Sequence, residues 1–175
     1  MTNDYFLDAS RTRLAFTARH RLGTRVRGHF SSFEGTAHLN RTDPPASTAW
    51  LTVRTDSIST GNNRRDAQLR KDFLRVSEHP AMTFVSTDVA QLDTSSYELT
   101  GDLTIRGVTR PLAVPVVLTD PDAFTARLTI NRHRWQVNWN AFTTALVCPE
   151  IDLDLQFTLA PQSSHPTPSP SASSR

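Results

Sequence analysis

The chain has 175 residues, 37% of them hydrophobic, with a mean hydropathy of -0.40, which is typical of one soluble domain. It has no run of about 18 apolar residues that would span a bilayer. The net charge is only +2, and the arginines are scattered without the aromatic interleaving of a nucleic-acid surface. We therefore expect a soluble protein with no integral membrane segment and no nucleic-acid partner.

The N-terminus bears on the cellular location, and the cysteine content bears on disulfides and metal sites. The segment 1–11 contains Asp4 and Asp8 and lacks an apolar stretch after a basic start, so it does not resemble a secretory signal. The sequence therefore predicts a cytoplasmic protein. Cys148 is the single cysteine, which excludes an internal disulfide and a multi-cysteine metal site.

Alternation of apolar and polar residues runs through the chain and predicts strands with one dry face. Leu14, Phe16 and Ala18 occupy every second position near the N-terminus and therefore share one parity, that is, one face of a strand. The odd-numbered residues from Ile151 to Leu159 repeat the pattern near the C-terminus. About eight strands emerge from such runs. The other runs lie at 51–53, 82–84, 99–105, 112–118 and 124–130.

Three segments depart from simple alternation. The apolar parity switches between Phe30 and Phe33, which predicts a bulge or bend at the two intervening serines. Helical spacing over Asn63 to Arg75 predicts one short surface helix. The Ser- and Pro-rich segment 161–175 is too polar to order itself, so we expect a disordered tail after a domain spanning 1–160.

An antiparallel sheet of this size can form a closed barrel or a sandwich, and the pattern alone leaves both open. The motifs are more specific. Four segments resemble motifs of the YceI family and occur in the same order as in that family. They are GHFSSFEG at 28–35, SISTGNNRRDAQLRKDFLRVSEHPAMTF at 57–84, GDLTIRGVTRP at 101–111 and INR at 130–132. The resemblance implies an all-β, eight-stranded antiparallel lipocalin-like barrel with one short helix. It also implies an internal channel for polyisoprenoids or other long amphiphiles.

The chain departs from the family pattern at several strand ends. Arg11 and Thr12 stand where a His-Ser pair is usual, and the Asn-Arg pair is followed by His133 and not by an Asp-Phe-Gly turn. FTTAL at 142–146 replaces a glycine-rich turn. These changes leave the fold expectation in place and bear on the identity of the ligand.

Candidate site residues follow from inward parity and from the motifs. His20 continues an inward row, whereas His29 and His38 fall on outward positions, so the three do not predict a shared metal site. Arg65, Asp66 and Arg70 are expected to brace the helix through arginine–carboxylate pairing or to contact a head group. The segment Asn131 to Trp139 is predicted as a strand whose tryptophans wall the channel or pack in the core. The full candidate set for the channel or its rim is Phe16, His20, Phe30, Phe33, Arg65, Asp66, Leu69, Phe73, Phe84, Ile105, Leu128, Asn131, Arg132, Trp135 and Trp139.

Two main functions fit these features. The first is binding of an isoprenoid, lipid or quinone-like molecule as a carrier or sequestering protein. The second is a cofactor-free biosynthetic enzyme, of a cyclase or cycloaddition type, that folds a polyene or polyketide inside the barrel; a stress-related interaction module is a third hypothesis. No nucleophile elbow, phosphate loop or HExxH motif occurs, and we expect no metal and no cofactor. The oligomeric state, including a homodimer, is left open.

Overall fold

The computed structural model describes residues 2–162 and shows a barrel built almost entirely of strands. Two short α-helices lie in the connections, α1 at Asn63–Gln68 and α2 at Ala141–Leu146, and α1 continues into a π-helical turn at Leu69–Phe73. 3-10 turns occupy Pro44–Ala46, Thr55–Ser57 and Arg132–Trp135. The strands within this part of the chain are β1 Thr2–Leu7, β2 Arg13–His20, β3 Arg25–Phe30, β4 Phe33–Asn40, β5 Thr48–Arg54, β6 Ile58–Ser59, β7 Ala81–Gln91, β8 Ser96–Ile105, β9 Val108–Asp120, β10 Ala123–Asn131 and β11 Val147–Pro161.

The strands form a closed antiparallel ring. Each strand from β7 to β11 pairs with its sequence neighbour, and β4, β5 and β7 pair in that order. The strand β11 closes the ring on its other edge by pairing with β2 along most of its length and with β1 at its end. Since β1 and β2 together form one barrel strand, and β3 and β4 another, the ring has eight strands. The predicted eight-stranded barrel is confirmed, with the short β6 added beside β3.

The bend between β3 and β4 confirms the predicted change of parity. The strand β3 ends at Phe30 and β4 begins at Phe33. Backbone bonds hold the two serines between them, from Ser31 N to the Ser57 carbonyl at 3.3 Å and from Arg54 N to the Ser32 carbonyl at 2.9 Å. The bend therefore lets one long strand pass around the barrel corner while apolar residues on both sides still face inward.

Two glycines make room for inward aromatic rings. A Cβ added at Gly28 would collide with the Phe16 ring, and one at Gly101 would collide with the Phe84 ring. Phe16 is the direct cross-strand partner of Gly28. Glycine at these positions therefore allows large side chains to lie flat against the barrel wall.

The connections differ from the sequence expectations in two places. The predicted helix at 63–75 is present, but the sequence pattern does not predict α2 at 141–146. The prediction of a strand through Asn131 to Trp139 was wrong because β10 ends at Asn131. The Asn131 side chain accepts a hydrogen bond from His133 N and caps a 3-10 turn, and Gln136 follows in the left-handed region with φ 57°.

The last strand extends slightly beyond the predicted domain. The strand β11 runs to Pro161, one residue past the expected boundary. Residues 163–175, which include most of the predicted tail, lie outside the described residues. Between residues 2 and 162, no helix combines the length and apolar character needed to cross a membrane.

Candidate functional site

A cavity of about 550 Å³ runs through the inside of the barrel. Its wall is made by the inward rows of the strands, and most of the lining side chains are Leu, Val, Ile, Phe or Ala. It extends from Asn40 and Arg41 at one end to the space beside α1 and α2 at the other. A cavity of this size is within the range that holds a drug-sized ligand.

Ten of the fifteen predicted site residues line this cavity. They come from strands on both sides of the barrel and from the α1 segment, so the fold brings them together around one space. Because strands alternate their side chains between two faces, the parity argument could identify most of them. The ten residues are Phe16, His20, Phe30, Arg65, Leu69, Phe73, Phe84, Ile105, Leu128 and Arg132.

The remaining five are placed elsewhere. Phe33 is half-buried at the start of β4, and Asn131 is exposed at the end of β10. Trp135 is 0% exposed and donates from Nε1 to the Leu103 carbonyl at 2.8 Å. It therefore packs in the core and does not wall the cavity. Trp139 is 46% exposed and contacts the Phe73 ring at a centroid distance of 6.4 Å.

Asp66, the fifth residue, organises the turn before α1. It is 4% exposed, and its carboxylate accepts hydrogen bonds from the backbone N and the hydroxyl of Thr60. Arg65 donates from Nε to the Thr60 hydroxyl at 2.8 Å, and Arg70 donates to two backbone carbonyls of the 56–58 segment. The helix is braced as predicted, but hydroxyl and carbonyl acceptors replace the expected arginine–carboxylate pairs.

Arg132 lies at the junction of β10 and β11 and is 5% exposed. Its guanidinium donates to the carbonyls of Val137, Val147 at 3.0 Å, and Cys148 at 3.3 Å. Burial lowers the pKa of Arg132, and burial together with the Arg132 charge lowers the pKa of His133. Among residues 2–162, the hydrogen-bond acceptors that hold the positive charge of Arg132 at the cavity wall are thus all backbone carbonyls.

The three histidines are separated as their parity predicts. His20 lines the cavity at the end of β2, His29 is exposed on the outer face, and His38 contacts Asp4 outside the barrel with Nδ1 at 2.6 Å from a carboxylate oxygen. Within residues 2–162, no three His, Cys, Asp or Glu side chains gather as metal ligands would.

The charged side chains of the wall share one sign. Among the described residues no Asp or Glu lines the cavity, whereas four arginines do. Arg19 forms an outer ion pair with Asp152 at 2.6 Å. Sequence reasoning missed Arg19 and Arg41, because parity places Arg19 outside and nothing in the local pattern marks Arg41. The four arginines are Arg19, Arg41, Arg65 and Arg132.

Comparison with known proteins identifies the family. The model of the YceI-like domain matches residues 5–159, so the chain belongs to the YceI family. It is 37% identical over 106 residues to a UPF0312 protein of Pectobacterium atrosepticum, covering 60% of this chain and 55% of that protein. It is 38% identical over 92 residues to protein YceI of Escherichia coli O6:H1, covering 52% and 48%. The chain thus spans about half the length of these relatives.

Solved structures share the fold at low sequence identity. BcnA of Burkholderia cenocepacia superposes with a TM-score of 0.80 at 23% identity, covering 88% of this chain and 99% of that one. A polyisoprenoid-binding domain from Saccharophagus degradans, implicated in plant cell wall breakdown, has a TM-score of 0.71 at 15% identity and covers 90% and 98%. These matches establish the same barrel architecture.

Proposed function

We propose that the chain binds an elongated apolar or amphiphilic molecule, such as an isoprenoid, a lipid or a quinone-like compound, inside the barrel and acts as its carrier or sequestering protein. The observation that carries the proposal is the apolar cavity of about 550 Å³ within a closed ring of strands. The shared fold with a polyisoprenoid-binding domain supports the same class of ligand.

The binding free energy comes mainly from the hydrophobic effect. Each CH2 group that leaves water for this wall contributes about 0.8 kcal/mol, and the cost of ordering the chain opposes part of that gain. A ligand with a long hydrocarbon chain can therefore bind tightly without a catalytic or metal-binding group. Aromatic rings such as Phe16, Phe30 and Phe84 add contact area along the chain.

The cationic wall favours a neutral or anionic polar end on the ligand. The proposal places this end beside His20 and Arg65, which line the cavity at the end of the barrel that carries α1 and α2. Arg65 uses Nε and Nη2 to bond Thr60 and within residues 2–162 makes no carboxylate pair, so its charge remains available to an anionic group. The charged side chains that line this wall within residues 2–162 are all cationic, so a cationic amphiphile should bind more weakly.

Native mass spectrometry of the purified protein, followed by solvent extraction, tests whether an apolar molecule is bound. A second measurement titrates the delipidated protein with cis-parinaric acid and with geranylgeraniol. We expect saturable binding of both probes, with a matched cationic long-chain amine binding more weakly. If no apolar molecule is extracted and neither probe binds, the proposed function is wrong. A cytoplasmic location and a role in natural-product biosynthesis stay predictions.

A further inference from the structure

The charges of the chain are separated along the barrel axis. Antiparallel strands return at alternate ends, so the segments 19–25, 54–80, 105–108 and 131–149 all lie at one end, here called the basic end. These segments hold twelve Arg and Lys against four Asp and Glu, a net charge of +8. The rest of the chain holds seven against thirteen, a net charge of -6. The small overall charge thus conceals a strongly cationic surface at one end.

The basic end also exposes large apolar side chains. Leu22, in the turn between β2 and β3, is 86% exposed, and Phe142 on α2 is 75% exposed. A hydrogen bond of 2.9 Å from Arg21 N to the Leu146 carbonyl joins that turn to α2. Trp139, which is half-exposed, lies just before α2. The three apolar side chains therefore occur on adjoining segments among the arginines of the basic end.

The cavity reaches the same segments. His20 precedes the turn that carries Leu22, and Thr143 follows Phe142, and both line the cavity. Gln68 on α1 also lines it. The exposed Leu22 and Phe142 thus lie on segments that also line the cavity at the basic end.

We propose that the basic end docks on the surface of an anionic phospholipid membrane. Leu22, Trp139 and Phe142 enter the boundary between head groups and acyl chains, while Arg21 and Arg25 contact lipid phosphates. Tryptophan is favoured at this boundary, and arginines near an anionic surface strengthen binding. The purpose of such docking rests on the proposed function, because it lets an apolar ligand pass between bilayer and cavity without crossing water.

The apolar side chains favour a membrane over a nucleic acid as the anionic partner. A phosphodiester backbone would satisfy the arginines but would leave Leu22 and Phe142 in water. The acyl region of a membrane would remove Leu22 and Phe142 from water. Amphipathic surfaces bind lipid more strongly as they bury more apolar area in addition to their attraction to anionic lipids. Binding to nucleic acid in preference to vesicles would overturn the proposal.

Sedimentation with vesicles tests the docking directly. Delipidated protein is mixed with vesicles of equimolar phosphatidylglycerol and phosphatidylcholine, and with vesicles of phosphatidylcholine alone. We expect binding to the anionic vesicles, weaker binding to the neutral ones, and loss of binding as salt screens the charges. The variant R21Q/R25Q should bind about 25-fold more weakly, at about five-fold for each arginine. The variant L22S/F142S should bind the anionic vesicles about ten-fold more weakly, because it buries less apolar area in the membrane.

Matched variants away from the basic end serve as controls. R13Q/R127Q removes the same charge, and F6S/L92S removes one exposed Phe and one exposed Leu, as L22S/F142S does. Both should bind vesicles as the unaltered protein does. Equal losses in the control pairs, absence of binding to anionic vesicles, or tighter binding to a DNA duplex would each refute the docking.

Separate titration with cis-parinaric acid distinguishes this proposal from the proposed function. Failure to bind vesicles with intact binding of the probe would remove the docking alone. Failure to bind the probe with intact vesicle binding would remove the carrier function and leave the docking standing.

Discussion

Narrowing the cavity at Ala37 should weaken ligand binding strongly. Ala37 lies on β4, is buried and lines the cavity, so the ring of Ala37→Phe would enter the space that a ligand chain occupies. A phenyl ring excludes roughly four chain carbons, and at about 0.8 kcal/mol per CH2 the loss is about 3 kcal/mol, or about 100-fold in Kd. Because the ring enters an open cavity, the melting temperature should change little.

The assay is a fluorescence titration with cis-parinaric acid, accompanied by thermal unfolding of the same samples. Ala113→Phe provides the matched control, since Ala113 is exposed on β9 and does not line the cavity. It should retain the affinity of the unaltered protein. The reasoning is refuted if a folded Ala37→Phe variant keeps its affinity within two-fold, or if Ala113→Phe loses as much.

Three further changes test the supporting structure. Arg132→Met should lower the free energy of unfolding by about 3 kcal/mol in urea denaturation, because three partly buried carbonyls lose the buried donor that bonds them. Gly28→Ala should displace the Phe16 ring and cost about 1–3 kcal/mol in the same measurement, with altered affinity for cis-parinaric acid. Thr129→Val should raise the pKa of Asp152, measured by NMR titration, since the hydrogen bond from the Thr129 hydroxyl is the main cause that holds this pKa below its ordinary value.

Each of these changes has a contrary outcome. Surface substitutions usually change the free energy of unfolding by no more than about 0.5 kcal/mol. Changes that small in Arg132→Met or Gly28→Ala would contradict the arguments made for those two residues. Because the pKa of Asp152 is lower in the folded protein than its ordinary value, the ionised carboxylate stabilises the fold at pH values above the ordinary pKa. This contribution to stability is lost as the pH falls through the folded-state pKa. The stability curves of the unaltered protein and of the Thr129→Val variant should therefore converge under acid conditions, and a constant gap would contradict the role of Thr129.

The strands could be predicted because alternation is a local property of the sequence. The row from Ile151 to Leu159 shows its parity without reference to any other segment. The same rule failed for Trp135 and Trp139, since it assumes an unbroken strand. The side chain of Asn131 caps a turn there and changes the direction of the chain.

The setting of Arg132 could not be predicted for a different reason. Its acceptors are backbone carbonyls, including those of Val147 and Cys148 about fifteen residues away, and a carbonyl carries no sequence signature. The concentration of positive charge at the basic end could not be predicted from local sequence either. Segments far apart in the chain meet there only because the strands close into a ring.

The way β11 closes the ring has a consequence for biosynthesis. The strand β1, which is made before the other described strands, pairs with Leu159 to Pro161 near the end of the described chain. The bonds by which β11 seals the barrel against β2 and β1 thus join residues 127 to 156 positions apart, and such distant contacts form slowly. A nascent chain that has not yet released β11 from the ribosome would expose the open edges of β1, β2 and β10. The barrel is therefore most exposed to aggregation and to chaperones in the interval just before β11 emerges.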